Sequence, residues 1–123
     1  RFFPSFHATG MKSRRRGRIG IVSSIAGEGP NPTVSVYAAS KAYLTSLSQA
    51  LHHELLPYGV GVTAVIPGAI RTEFGAVSHT ENALVFRVPG MSMSASDVAK
   101  AAVDAVLVGK PFIVPGAVNK YVD

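Results

Sequence analysis

Tyr37 and Lys41 stand four residues apart in a chain of 123. On a helix that spacing stacks two side chains on one face, one turn apart. An ammonium beside a phenol favours the phenolate, so a tyrosine placed this way can act as a general acid or base near neutral pH. By itself the pair also fits a tyrosine at a core boundary next to a solvated lysine. Ser24 changes the weighing. It closes a short apolar run thirteen residues before Tyr37, and Gly27, Gly29, Pro30 and Pro32 lie in between. Pro67-Gly68 closes the next apolar run. In a parallel sheet, ligands bind outside the carboxyl ends of the strands. Ser24, Tyr37, Lys41 and the Pro67-Gly68 turn are therefore expected on one rim.

The elements that must carry these residues follow from hydrophobic period. Phe2 to about Thr9 reads as the end of a helix, stopped by Gly10. Arg18 to Ser24 is an apolar, β-branched run and reads as a buried strand. Ser35 to about Pro57 reads as a long amphipathic helix, with Leu44, Leu47, Leu51 and Leu55 in one stripe. Val60 to Ile66 reads as a second buried strand. Residues 69–93 show little period. Ser94 and Asp97 form a capping-box pattern, which predicts a third helix from about Ala95 to Val108, stopped by Gly109. Pro111 to Val114 reads as a third short strand. Apolar strands alternating with helices predict an α/β fold with a parallel sheet covered on both faces.

The motifs as they stand resemble one family. Tyr37-Ala38-Ala39-Ser40-Lys41 resembles the YxxxK signature of the short-chain dehydrogenase/reductase family. Ser23-Ser24-Ile25-Ala26-Gly27 is similar to its serine loop, and Pro67-Gly68-Ala69-Ile70-Arg71-Thr72 to its cofactor loop. The likeness runs along nearly the whole chain. It implies a partial Rossmann-like, doubly wound parallel sheet, the second half of one domain over residues 1–123, with about three strands and flanking helices. It implies hydride transfer between NAD or NADP and an alcohol or carbonyl substrate. Ser24 would bond the substrate oxygen, Tyr37 would pass the proton, and Lys41 would assist Tyr37 and bind the nicotinamide ribose. Pro67, Gly68, Ile70 and Thr72 would line the nicotinamide. The family also implies a homo-oligomer in the full-length parent, with Ala50, Leu56 and Tyr58 near the long helix as contact candidates. Phe74, Phe86, Met91 and Met93 fall in the region of its substrate loop, which reads equally as ordinary loop packing.

The sequence departs from the family in places. No glycine-rich strand–turn–helix precedes Arg18, so the phosphate-binding half is absent from this reading. That absence, and a first residue that is not Met, lead to the expectation of a fragment with an open strand edge. Ile21 stands where the family often has asparagine. A non-catalytic, truncated relative acting as a partner chain is the competing function. A serine hydrolase is excluded, because no G-x-S-x-G elbow is present.

Composition sets the outer bounds. Apolar residues make up 47% of the chain and the mean hydropathy is +0.27, which is globular rather than disordered. There are no cysteines, so disulfides and thiolate metal sites are excluded and a cytoplasmic location is expected. No metal is expected, and His52 and His53 are expected at exposed or interface positions. The net charge of +5 owes much to Lys12, Arg14, Arg15, Arg16 and Arg18. That run reads as a solvated turn leading into a strand, with neither nucleic acid nor membrane as partner.

Overall fold

The computed structural model describes residues 5–71 and 92–116. Helices α1 (Ser5–Ser13), α2 (Ser35–Leu55) and α3 (Ala95–Val108) alternate with strands β1 (Gly17–Val22), β2 (Val60–Val65) and β5 (Phe112–Ile113). These three strands form one parallel sheet in the order β1-β2-β5. Two three-residue strands, β3 (Ala69–Arg71) and β4 (Ser92–Ser94), pair in parallel beside it. That small sheet is not expected from the sequence: its two pieces are too short to show a period, and twenty residues separate them.

Helices lie on both faces of the main sheet. Ile19 and Ile21 of β1 pack with Val60 and Val62 of β2 against Leu51 and Leu55 of α2 and Ala8 of α1. On the opposite face, a Cβ at Gly20 would lie 3.0 Å from the Val106 side chain of α3. Every residue of β2 is buried, as a strand between two helical layers should be. Fully burying a valine such as Val60 or Val62 contributes about 1.5–3 kcal/mol, so the central strand anchors the fold. The expectation that Arg18 to Ser24 forms a strand buried on both faces needs correction. β1 alternates between half-buried and exposed residues, because it lies at the edge of the described sheet with β2 as its strand neighbour.

Two helix ends correct or sharpen the reading. α1 does not stop at Gly10 but continues to Ser13, since a mid-helix glycine costs only about 1 kcal/mol. It ends in a Schellman turn, in which the Arg16 amide bonds the Met11 carbonyl and the Arg15 amide bonds the Lys12 carbonyl. Arg15 takes the left-handed position with φ +51°. α3 begins as its capping pattern predicts: the Ser94 hydroxyl accepts from the Asp97 amide at 3.2 Å and lies 2.7 Å from the Asp97 carboxylate. It ends at Gly109, which is also left-handed.

Candidate active site

Three backbone and side-chain bonds gather the predicted residues at the carboxyl ends of β1 and β2. The Ser23 amide continues the ladder onto the Val65 carbonyl at 2.7 Å, and the Ile25 amide bonds the Pro67 carbonyl at 3.0 Å. The serine loop and the Pro67-Gly68 turn are thereby held side by side. Lys41 Nζ donates to the Val22 carbonyl at 3.4 Å, which ties the first turns of α2 to the end of β1. The same Nζ lies 5.6 Å from the centre of the Tyr37 ring, within cation–π range.

The two neighbouring serines part at the end of the strand. Ser23 is buried and its hydroxyl donates to the Lys41 carbonyl at 2.7 Å, with Thr45 Oγ1 at 2.6 Å. That hydroxyl is committed to holding α2 on β1. Ser24 is half-buried and caps a 3-10 turn, Ile25–Glu28, accepting from the Ala26 amide at 3.2 Å. Its own proton has no acceptor among the described residues. Tyr37 is 39% exposed, on the first turn of α2. Ser24 thus offers a donor, Tyr37 a phenol and Lys41 a fixed positive charge, all on one rim.

The remaining predicted residues are placed as follows. Pro67 is buried and Gly68 is half-buried, with open space among the described residues where a Cβ would stand. Ile70 lies in β3, paired with Met93 of β4. Thr72, Phe74, Phe86 and Met91 lie outside the described residues. A groove of about 580 Å³ runs between the loop at 27–32 and the face of α2 that carries Ser35, Ala38, Ala39 and Ala42. Ser24, Tyr37 and Lys41 do not line it, so these candidate groups sit on the rim and not in that groove.

Several supporting residues carry no chemical signal of their own in the sequence. Gly27 packs directly on α2, where a Cβ would come within 2.6 Å of the Ala42 amide nitrogen. Asn31 donates from its side chain to the Ala26 carbonyl at 2.9 Å and braces the serine loop. Its place in a Gly/Pro loop is a turn signal, though not a sign of which carbonyl it reaches. His52 corrects an expectation: it is buried in the chain's own core, with Nδ1 2.9 Å from the Val62 carbonyl. A carbonyl only accepts, so Nδ1 carries the proton. His53, beside it, is exposed.

A family model described as short chain dehydrogenase matches residues 5–83. The chain belongs to this family. The 11-beta-hydroxysteroid dehydrogenase type 2 of Oryctolagus cuniculus is 43% identical over 79 residues, which cover 61% of this chain and 20% of that protein. The vibriobactin-specific 2,3-dihydro-2,3-dihydroxybenzoate dehydrogenase of Vibrio cholerae is 40% identical over 74 residues, covering 60% of this chain and 28% of that protein. Among solved structures, a short-chain dehydrogenase from Sphingobium yanoikuyae in complex with NADPH superposes with a TM-score of 0.75 at 28% identity, over 93% of this chain and 44% of that one. The chain therefore spans between a fifth and under a third of these two relatives. The family's Rossmann-like architecture, a parallel sheet with helices on both faces, is the one seen here.

Proposed function

We propose that the chain carries the proton-transfer machinery of an NAD(P)-dependent alcohol or carbonyl oxidoreductase. The observation that carries this reading is the joining of Ser24, Tyr37 and Lys41 to the Pro67-Gly68 turn at one end of the sheet, through the Lys41–Val22 and Ile25–Pro67 bonds. The family membership and the NADPH-bound relative support it.

The residues present suit the nicotinamide end of the cofactor. Among the described residues, Gly68 leaves open space beside the backbone and the Ser24 proton has no acceptor. Pro67, Gly68, Ile70 and Thr72 would hold the nicotinamide and Lys41 its ribose hydroxyls. When bound, the cofactor supplies or accepts the hydride at the substrate's carbinol carbon. In the reducing direction Ser24 donates a hydrogen bond to the carbonyl oxygen and stabilises the charge that develops there. Tyr37 gives its phenolic proton to that oxygen, and Lys41 holds a positive charge over the tyrosine ring. In the oxidising direction Tyr37 takes the same proton back.

The test is a fluorescence titration of the chain with NADPH and with NADH, followed by turnover on a panel of ketones and secondary alcohols. Saturable binding is expected. Tyr37→Phe should retain that binding and lose on the order of 10²–10⁴ in turnover. Turnover within a few-fold of the unmodified chain would refute the role given to Tyr37. Absence of cofactor binding in a folded chain would favour the non-catalytic, partner-chain reading instead.

A further inference from the structure

The carboxyl rim of the sheet holds the candidate chemistry, and the opposite, amino rim holds the charge. Three connections meet there: 14–16 before β1, 56–59 before β2 and 109–111 before β5. Arginine and lysine side chains tie them into one surface. Arg15 Nη2 donates to the Pro57 carbonyl at 2.8 Å, Arg18 Nε donates to the Leu107 carbonyl at 3.3 Å, and Lys12 Nζ lies 4.6 Å above the Tyr58 ring.

Residues 12–18, 56–59 and 107–112 together contain six lysines and arginines and no aspartate or glutamate. The nearest carboxylates along the chain are Glu54, on the last turn of α2, and Asp104, which is paired with Lys100 at 3.1 Å. Among the described residues no ion pair reaches any of the six cations. Arg15, Arg18 and Lys12 serve the fold. Arg14, Arg16 and Lys110 are exposed and make no side-chain hydrogen bond among the described residues. Large apolar side chains in these same stretches are exposed as well: Leu56 is 57%, Leu107 66% and Val108 71% exposed.

Cations set among exposed aliphatic side chains match the two layers of an anionic lipid surface, charged headgroups over an apolar boundary. A single-stranded nucleic-acid surface interleaves its cations with aromatic platforms for base stacking, whereas the exposed apolar side chains here are mainly aliphatic, with Phe112 as one exposed ring and Tyr58, under Lys12, as another. No helix among the described residues is long and apolar enough to cross a membrane, so the contact would lie on the surface. We propose that the amino rim docks on anionic bilayers, with Arg14, Arg16 and Lys110 on the headgroups and Leu107 and Val108 entering the headgroup–acyl boundary. On this proposal the basic run, read from the sequence as a solvated turn, gains a binding role. The same docking leaves the candidate active rim facing away from the bilayer.

The experiment is co-sedimentation of the chain with vesicles of mixed phosphatidylserine and phosphatidylcholine, against vesicles of phosphatidylcholine alone and against a DNA duplex. Sedimentation with the anionic vesicles, weakened by added salt, is expected of the unmodified chain. The double variant Arg14→Gln with Arg16→Gln should lose about thirty-fold in partition, near five-fold per charge. The double variant Leu107→Ser with Val108→Ser should also lose vesicle binding, with its circular dichroism unchanged. Sedimentation no greater than with neutral vesicles overturns the proposal. So does retention on the duplex without retention on vesicles, which would assign the rim to nucleic acid.

Discussion

At the residue scale, the contrast between Ser23 and Ser24 is the most informative. Truncating Ser23 removes its hydroxyl's bond to the Lys41 carbonyl and its contact with the Thr45 hydroxyl, and a side-chain hydrogen bond contributes about 0.5–1.5 kcal/mol. Ser23→Ala should therefore lower the unfolding midpoint in urea. Ser24→Ala removes only a partly exposed cap on a short turn. It should change stability by no more than about 1 kcal/mol while lowering turnover on the order of 10²–10³, the effect of losing one donor to a developing oxyanion. The reverse pattern would transfer the proposed role to Ser23. Ser48 makes a third case. Its hydroxyl is fully buried and has no hydrogen-bond partner among the described residues, so Ser48→Ala removes an unsatisfied polar atom. That variant should be as stable as the unmodified chain or more so, measured by the same urea titration.

At the scale of elements, the serine loop is positioned by the surface of α2. Gly27 lets its backbone approach the helix so closely that a methyl group would meet the Lys41 carbonyl carbon at 2.7 Å. Backbone cannot move aside as a flexible side chain can. Gly27→Ala should cost about 1–3 kcal/mol by overpacking, and it should displace Ser24 and so reduce turnover more than binding of cofactor. Thermal unfolding together with the cofactor titration would separate the two effects. The helices themselves were largely readable: a capping serine at 94 with Asp97, a stop at Gly109 and the leucine stripe of α2 are local signals. The continuation of α1 through Gly10 was not readable. Its stop is a Schellman turn whose left-handed residue is Arg15, a position where glycine is the usual marker. Arg15 is held there by its bond to Pro57, 42 residues away, which no local window contains.

At the scale of the whole molecule, β1 has one strand neighbour, β2, and its other edge is unpaired among the described residues. An exposed edge with unpaired amides and carbonyls is a template for further strand pairing. The chain should therefore associate with rising concentration, as read by sedimentation velocity. Val22→Lys places a charge on that strand at a position already 57% exposed, and it should shift the association to higher concentration without unfolding the sheet. Association unchanged by Val22→Lys would mean that the contact lies elsewhere, for example on the apolar surface of α3.

The sequence by itself determined the order of the three helices and of the strands of the main sheet, and it nominated the residues of the candidate site. Period, caps and motif spacing are properties of neighbours along the chain, and Tyr37 with Lys41 is such a pair. It also carried the resemblance that the family match establishes. Only the tertiary structure decided which groups each residue faces. It buried His52 against the Val62 carbonyl, turned Ser23 inward and left Ser24 on the rim, and joined β3 to β4 across twenty residues. It also brought the basic run against the ends of α2 and α3. These contacts join residues distant in sequence, and they form because the sheet must be covered on both faces to bury its central strand.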